Sequence, residues 1–359
     1  MASWKPISDK AKCAYLKQQV FLMWGMKLGM ASPCPLPVSM SKEHLVTIMH
    51  QPYLVAPKHD GVRHLLLLTQ YPKGVNIAVI ITRNWTMYPI MVCGRNNYFK
   101  LGSLFDGELM REVVEGSDGK WRLVYRVFDV VSVAGDSMVA ADYNQRYSQL
   151  QRLFFEDRDG VTPPDLESLY DPKHWYNVTA PNIVRQSGKL VPCGNADYLG
   201  FRCKRWYTIQ QLPKVLAVCD QGADGLIFMP VLDGVCCTRK HTRMFKWKTC
   251  HTIDLKTHRH ADGRVALTFF DGTSDVSRPL QGVDGQEYTL KVTGNTIKIP
   301  NESSVCEFVI ESVSNGTVSL RFLNVRTDKH NANCESVIAC TIDNFMNPVT
   351  VDMLKTLIQ

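Results

Sequence analysis

Short apolar runs rich in β-branched residues, each stopped by Gly, Asn or Pro, constrain the fold of this chain more than any other feature. From Tyr53 onward come VRHLLLLT (62–69), NIAVIIT (76–82), MYPIMV (87–92) and RLVYRVFDVVSV (122–133). Runs of this length and texture read as neighbouring strands of an antiparallel sheet. A second β-rich region begins after Lys248, with TIDLKTH, RVALTFF, EYTLKV, NTIKI, CEFVIESV and VSLRFLNVR. Its runs alternate polar and apolar residues, and Asn315-Gly316 between the last two is a strong hairpin signal. About six strands in so short a stretch predict a small closed barrel, the OB-fold foremost. The expected fold class is α+β: an antiparallel-sheet domain over 1–249, an OB-fold barrel over 250–345 and a cleft between them. A terminal helix over 346–359 is expected to pack back on the first domain.

Helices are expected only as interruptions. One precedes Pro33, Pro35 and Pro37, and another follows Ser41, a plausible N-cap. Two more fall near Asp142–Phe155 and Thr208–Cys219. The polar stretch 157–187, rich in Pro, Asp and Tyr, reads as a surface excursion. The most apolar run, Val20–Met30, contains Lys27 and is too short to span a bilayer, so no membrane partner is expected. Lys and Arg number 41 against 34 Asp and Glu, a formal charge of +7, which suits a polyanionic partner without requiring one. The 12 cysteines include no C-x-x-C pair, and no signal peptide precedes them, so a reducing, intracellular compartment is expected. Two clusters, Cys236/Cys237/His241 and Cys250/His251/His258/His260, match no familiar zinc spacing.

The strongest chemical signal is KHDGVR, with Lys58, Asp60, Gly61 and Arg63 following Pro57. A neutral lysine amine is a good nucleophile toward phosphorus, and neighbouring cations or desolvation can free it of its proton. Alone the pattern is only moderately specific. It is followed by FDGELM (Asp106, Gly107, Glu108), YRVFDVV (Phe128, Asp129), DGLIFMP from Asp224, FKWK (Lys246, Lys248) and RTDKHNAN (Arg326, Asp328, Lys329, Asn333). Taken singly, each has a bland explanation: Phe128 as core, Glu108 as a surface carboxylate, Arg326 and Lys329 as a salt-bridged strand end.

In this order and spacing the series resembles the covalent nucleotidyltransferase superfamily, which comprises mRNA capping guanylyltransferases, ATP-dependent DNA ligases and RNA ligases. Three details resemble the capping branch more than the ligases: Asp224 leading DGLIFMP, Trp247 within FKWK, and R-x-D-K-x-x-x-N at Arg326–Asn333. Pro37-Val38-Ser39 upstream and TIDLK after FKWK match that branch as well. The resemblance runs from about Pro33 to Asn333. His59 and Ala332 depart from the family pattern, at positions that supply no obvious chemistry.

The resemblance implies that Lys58 attacks the α-phosphorus of GTP to form lysyl-GMP and release pyrophosphate. GMP then passes to an RNA 5′-diphosphate end. It implies Mg²⁺ or Mn²⁺, with Asp224 as first ligand and Glu108 as second, Glu108 also being a ribose contact. Lys246 and Lys248 are implied at the α-phosphate, Arg63 and Arg83 at ribose or phosphate, Phe128 stacked on guanine and Lys204 at its O6. Arg326 and Lys329 are implied at the β- and γ-phosphates, with Asp328 orienting them, when the OB domain closes over GTP. Asp60, Gly61, Asp106 and Gly107 support the motifs. Thr238–Arg243 and Lys256–His260 are candidate RNA contacts, with solvated loops the simpler reading. A separate RNA triphosphatase and cap N7-methyltransferase are expected as partners, and the transcription machinery is a further candidate. The compartment is expected to be the nucleus or, for a viral chain, host cytoplasm or virion. The rival readings are an ATP-dependent polynucleotide ligase and a non-catalytic OB-fold RNA-binding protein.

Overall fold

The computed structural model describes residues 5–28, 33–90, 92, 96–113, 121–154, 183–186, 189–192, 199–219, 223–238, 240–260, 264–294, 298–300, 302–327 and 329–358. Most of the expected surface excursion, and Asp328, lie outside them. The chain is a sheet-rich mixture of α and β and divides into two compact units. The first comprises Met1–Val38, Pro52–Thr208 and Phe228–Met244, and the second Ser39–Gln51, Ile209–Ile227 and Phe245–Gln359.

The first unit is built on a sheet whose central strands are Val62–Tyr71, Val75–Thr82, Ser103–Val113 and Trp121–Val133. Val62–Tyr71 pairs antiparallel with Val75–Thr82 on one side and Ser103–Val113 on the other. Its residues Leu65 to Leu68 are all buried, because both faces of the sheet are covered. Leu66, Leu68, Ala78, Ile80 and Phe105 pack with Leu150, Leu153 and Phe154 at the end of helix Tyr143–Leu153. Leu65, Leu67, Val79, Ile81 and Leu104 pack with Leu16, Val20 and Trp24 of helix Lys10–Trp24. A strand buried on both sides loses the polar–apolar alternation, so LLLL reads as an unbroken run.

Both helices are closed by local chemistry. The Asp9 side chain accepts from Lys12 N at 3.0 Å, and Gly25 turns left-handed (φ 69°) so that its N–H and that of Met26 reach back to Leu22 and Phe21 carbonyls. Asp142 and Gln145 form a reciprocal capping box at 2.9 and 3.2 Å. The sheet is not wholly antiparallel as expected. Leu199–Cys203 joins Trp121–Val133 in parallel, Leu199 opposite Leu123. The chain between them is long and contains a helix, the kind of crossover that a parallel pair needs.

The second unit carries a seven-stranded sheet. In spatial order its strands are Asp275–Val276, Val265–Phe270, Thr252–Arg259, Ser304–Ser314, Thr317–Val325, Glu287–Thr293 and Leu280–Gln281. Asn315 and Gly316 make the two-residue hairpin between Ser314 and Thr317, with φ of 48° and 68°. Both central residues are left-handed, which matches the twist of the flanking strands. Glu287–Thr293 runs parallel to Thr317–Val325. Of NTIKI, the described part (298–299) is not a strand.

A helix that the sequence reading omitted, Glu335–Met346, packs Ile338 and Ile342 into the core of Ile253, Leu255, Phe308 and Leu320. The single terminal helix expected over 346–359 is instead Val351–Lys355 with a short 3₁₀ turn, Thr356–Ile358. Pro348 breaks it, since the residue before a proline is driven out of the helical region. The Trp247 indole donates to Val349 O at 2.7 Å, also within this unit.

The close passage of the Ser103–Val113 strand over its neighbours demands glycine at 107. A Cβ there would lie 2.7 Å from both Arg126 O and Tyr125 Cζ. Gly107→Ala is therefore expected to lose about 1–3 kcal/mol, as overpacked cores do. Chemical denaturation monitored by fluorescence checks this, and an unchanged midpoint would show that the strands do not pass so closely.

Candidate functional site

In the first unit, Lys58 is the last residue of strand Tyr53–Lys58 and is half-buried. Asp60 is exposed, and Gly61 brings the backbone against the next strand, where a Cβ would sit 3.1 Å from Glu108 Cβ. The chain then enters Val62–Tyr71 with Arg63 opposite Glu108 and Leu65 opposite Asp106. Two residues apart, Asp106 and Glu108 share one face, and so do Arg63 and Leu65. KHDGVR and FDGELM thus face each other through strand pairing.

Arg63 is 11% exposed and Asp106 3%. The guanidinium donates through Nε to Asp106 Oδ1 at 2.9 Å, through Nη2 to Oδ2, and through Nη1 to Pro35 O. Burial alone would lower the Arg63 pKa, but the charge and hydrogen bonds of Asp106 outweigh it and hold the group firmly protonated. The Arg63 guanidinium also lies 5.1 Å from the centre of the Phe128 ring. The donors expected at ribose or phosphate are thus engaged with Asp106 and Pro35, and the arginine supports the aromatic ring.

Phe128 is further fixed through its backbone. Its carbonyl accepts from the Tyr143 hydroxyl, and the next residue, Asp129, takes Arg146 Nε at 2.7 Å and Nη2 at 3.1 Å. Arg146, 1% exposed, also donates to Ala141 O and Asp233 O at 2.7 Å each. Lys204 is buried, its backbone N–H bonded to Val127 O and its ammonium 5.7 Å from the Trp206 ring. Arg83 is exposed in the turn that follows Val75–Thr82.

The sequence reading passed over His59 and Arg126. Arg126 stands opposite Glu108 in the pairing and its Nη1 lies 2.9 Å from His59 Nε2. Burial first, then the charges of Arg126, Lys204 and Lys58, push the His59 pKa down to about 3. A neutral imidazole is the form that can accept from the guanidinium. The available signal was the departure from the family pattern at position 59. That departure names no partner, because only strand pairing brings Arg126 to it.

In the second unit, Asp224 and Lys248 form an ion pair at 2.7 Å, each partly exposed. Gly225 (φ 140°) makes this possible, since a Cβ there would lie 2.0 Å from Trp247 O. Lys246 and Lys248 lie at the end of strand Lys240–Trp247 and line a cleft of about 230 Å³ with Asp254, Glu307, Arg326, Lys329 and Asn333. Arg326 Nη1 reaches Asp254 Oδ1 at 3.1 Å, and Lys329 bonds Asp254 Oδ2. Asp254 is thus a carboxylate that orients these two cations, while Asp328, expected in that role, lies outside the described residues. The candidate RNA-binding stretches lie largely on strands instead of loops. Within them Arg243 is paired with Asp233 in the first unit, and Lys256 with Asp275 in the second. Among the described residues, no group of three or more His, Cys, Asp or Glu is placed to hold a metal ion. No described helix is long and apolar enough to cross a membrane.

The family described as mRNA capping enzyme, catalytic domain, matches residues 4–167. The mRNA-capping enzyme subunit alpha of Schizosaccharomyces pombe is 32% identical over 108 residues, covering 28% of this chain and 26% of that protein. The Neurospora crassa protein of the same name is 28% identical over 146 residues, covering 36% of each. The Candida glabrata subunit alpha is 24% identical over 372 residues, covering 86% of this chain and 75% of that one. The chain thus spans 26% and 36% of the length of the first two relatives. Among solved structures, a mycobacterial DNA ligase D complexed with ATP and MES aligns with a TM-score of 0.41 at 13% identity, over 82% of this chain and 95% of that one.

Two outcomes are expected of this site. Asp106→Asn leaves a buried guanidinium without its counter-charge and should cost about 3–5 kcal/mol, read by thermal and chemical denaturation; a loss below 1 kcal/mol would show the pair to be solvated. The second concerns His59. Its folded pKa lies below the unfolded value, so unfolding takes up a proton between about pH 6.5 and 3. Its contribution is complete above pH 6.5 and is lost as pH falls, at no more than about 1.4 kcal/mol per pH unit. His59→Gln should flatten the acid side of the stability curve relative to the native chain; parallel curves would place His59 in solvent.

Proposed function

We propose that this chain is a GTP:RNA guanylyltransferase that builds mRNA 5′ caps through a lysyl-GMP intermediate. The observation that carries the reading is the family match over residues 4–167, which contains Lys58 at a strand end and Arg63, Glu108 and Phe128 on the adjoining strands. In this reading Lys58 Nζ attacks the GTP α-phosphorus. An N–P bond forms, the P–O bond to pyrophosphate breaks, and the amine gives up its proton. GMP then passes from Lys58 to the terminal phosphate of an RNA 5′-diphosphate, leaving a 5′–5′ triphosphate bridge.

Catalysis of this kind rests on positioning and charge neutralisation. Phe128, backed by Arg63, offers a flat apolar face for guanine. Lys204 is proposed as the O6 donor, since guanine presents an acceptor where adenine presents a donor. Glu108 and Arg83 are proposed at the ribose or α-phosphate, Lys246 and Lys248 at the α-phosphate, and Arg326 and Lys329 at the β- and γ-phosphates. Asp224 and Glu108 are the proposed ligands of Mg²⁺ or Mn²⁺. Their hard oxygen donors suit an ion held by one or two carboxylates and substrate phosphates. When bound, that ion would neutralise charge on the phosphates.

The seven-stranded sheet of the second unit, with Arg326 directly after its Thr317–Val325 strand, is proposed as the OB-fold barrel. The name of the relatives, subunit alpha, supports a protein that works beside other capping components. An RNA triphosphatase and a cap N7-methyltransferase on other chains are the partners proposed. The compartment proposed is intracellular, the nucleus or a virally infected cytoplasm.

The test is covalent labelling. Incubated with α-labelled GTP and Mg²⁺ or Mn²⁺ and then denatured, the protein should retain label that added pyrophosphate discharges. Lys58→Ala should abolish it, at least 10³-fold for a covalent nucleophile. Label from ATP instead of GTP would assign the chain to ligation, and label persisting in Lys58→Ala would exclude Lys58 as the nucleophile.

A further inference from the structure

Within the second unit, the cleft of about 230 Å³ sets four cationic side chains, Lys246, Lys248, Arg326 and Lys329, against two carboxylates, Asp254 and Glu307. The two kinds of charge are held very differently. Asp254 is 5% exposed, and its backbone is bonded in both directions to Asn333. Its N–H donates to Asn333 Oδ1 at 2.8 Å, and Asn333 N–H donates to its carbonyl at 2.7 Å. The carboxylate is therefore fixed on strand Thr252–Arg259. Arg326 and Lys329 instead carry their charges on long side chains that are 24% and 32% exposed. Arg326 offers Nη1 to both Asp254 oxygens, at 3.1 and 3.4 Å, while Glu307 lies 3.8 Å away. Asp254 is thus the principal anion to which both cations are tied.

We propose that Asp254 is a positioning residue that acts as an internal anion: it keeps Arg326 and Lys329 paired and competes for them with the pyrophosphate group of the nucleotide. The proposal rests on the reading of Arg326 and Lys329 as β- and γ-phosphate contacts. It adds that these contacts are made by exchange. Each donor that turns to a phosphate oxygen leaves an Asp254 oxygen, so the bound polyphosphate is held less tightly than four cations alone would hold it. The same exchange eases the departure of pyrophosphate, because Asp254 waits to take the cations back. The apparent affinity is the intrinsic affinity multiplied by the fraction of time that the cations spend away from Asp254.

Asp254→Asn keeps the shape and an acceptor oxygen but removes the charge. Titration calorimetry of the full chain with inorganic pyrophosphate, without divalent cations, should show binding about tenfold tighter than in the native chain. The gain should shrink as salt is raised. Equal or weaker binding, in a variant with a native-like melting curve, would overturn the proposal. Should that variant fail to fold, the native chain still decides the matter. The ¹³C carboxyl signal of Asp254 should move on saturation with pyrophosphate, and an unmoved signal would overturn the exchange. A double variant, Arg326→Ala with Lys329→Ala, separates the two readings. If it binds pyrophosphate as well as the native chain, the assignment of these cations to phosphates fails. If it loses binding while Asp254→Asn gains none, only the exchange fails.

Discussion

The ion pair between Arg63 and Asp106 is the interaction on which the first unit's site depends. Two charges removed from water cost several kcal/mol each and are tolerated only when every donor and acceptor is met. Here the guanidinium fork meets both carboxylate oxygens and a backbone carbonyl. The pair ties the strand that follows Lys58 to the strand that carries Glu108. It also places a flat cation under Phe128. The two glycines of KHDG and FDGE follow from the same constraint, because side chains at 61 or 107 would hold the strands apart. What looks in one dimension like two separate motifs is a single cross-strand assembly.

The second unit uses charge in the opposite manner. Arg326 and Lys329 are partly exposed and converge on one fixed carboxylate, Asp254, instead of being buried in matched pairs. A buried, fully matched pair such as Arg63–Asp106 resists exchange and suits a scaffold. Partly solvated lysines and arginines can change partners at small cost, as a phosphate site requires. Asp224 and Lys248 belong to this second kind, with both side chains more than a quarter exposed.

Much of this was legible in the residue order. The runs VRHLLLLT, NIAVIIT and RLVYRVFDVVSV form strands where the punctuation placed them, and Asn315-Gly316 makes its hairpin. Strand length, turn chemistry and capping are local, and local sequence decides them. The omissions were non-local. Helix Glu335–Met346 shows only a short apolar stripe, Ile338, Ala339 and Ile342, and owes its place to the core that Ile338 and Ile342 join. The parallel placement of Leu199–Cys203 depends on a crossover path that no local pattern encodes.

By itself, the sequence determined the chemistry on offer: a lysine beside Asp-Gly, carboxylates at 106, 108 and 224, and basic residues at 246, 248, 326 and 329, in an order that resembles the capping enzymes. Tertiary structure decided which of these charges are committed and which are available. Arg63 is committed to Asp106 and Arg126 lies against His59, whereas Arg326 and Lys329 rest on Asp254 and stay partly solvated. Those partners lie 43, 67, 72 and 75 residues apart in the chain. Pairing over such separations is set by strand register and burial, which only the assembled sheets define.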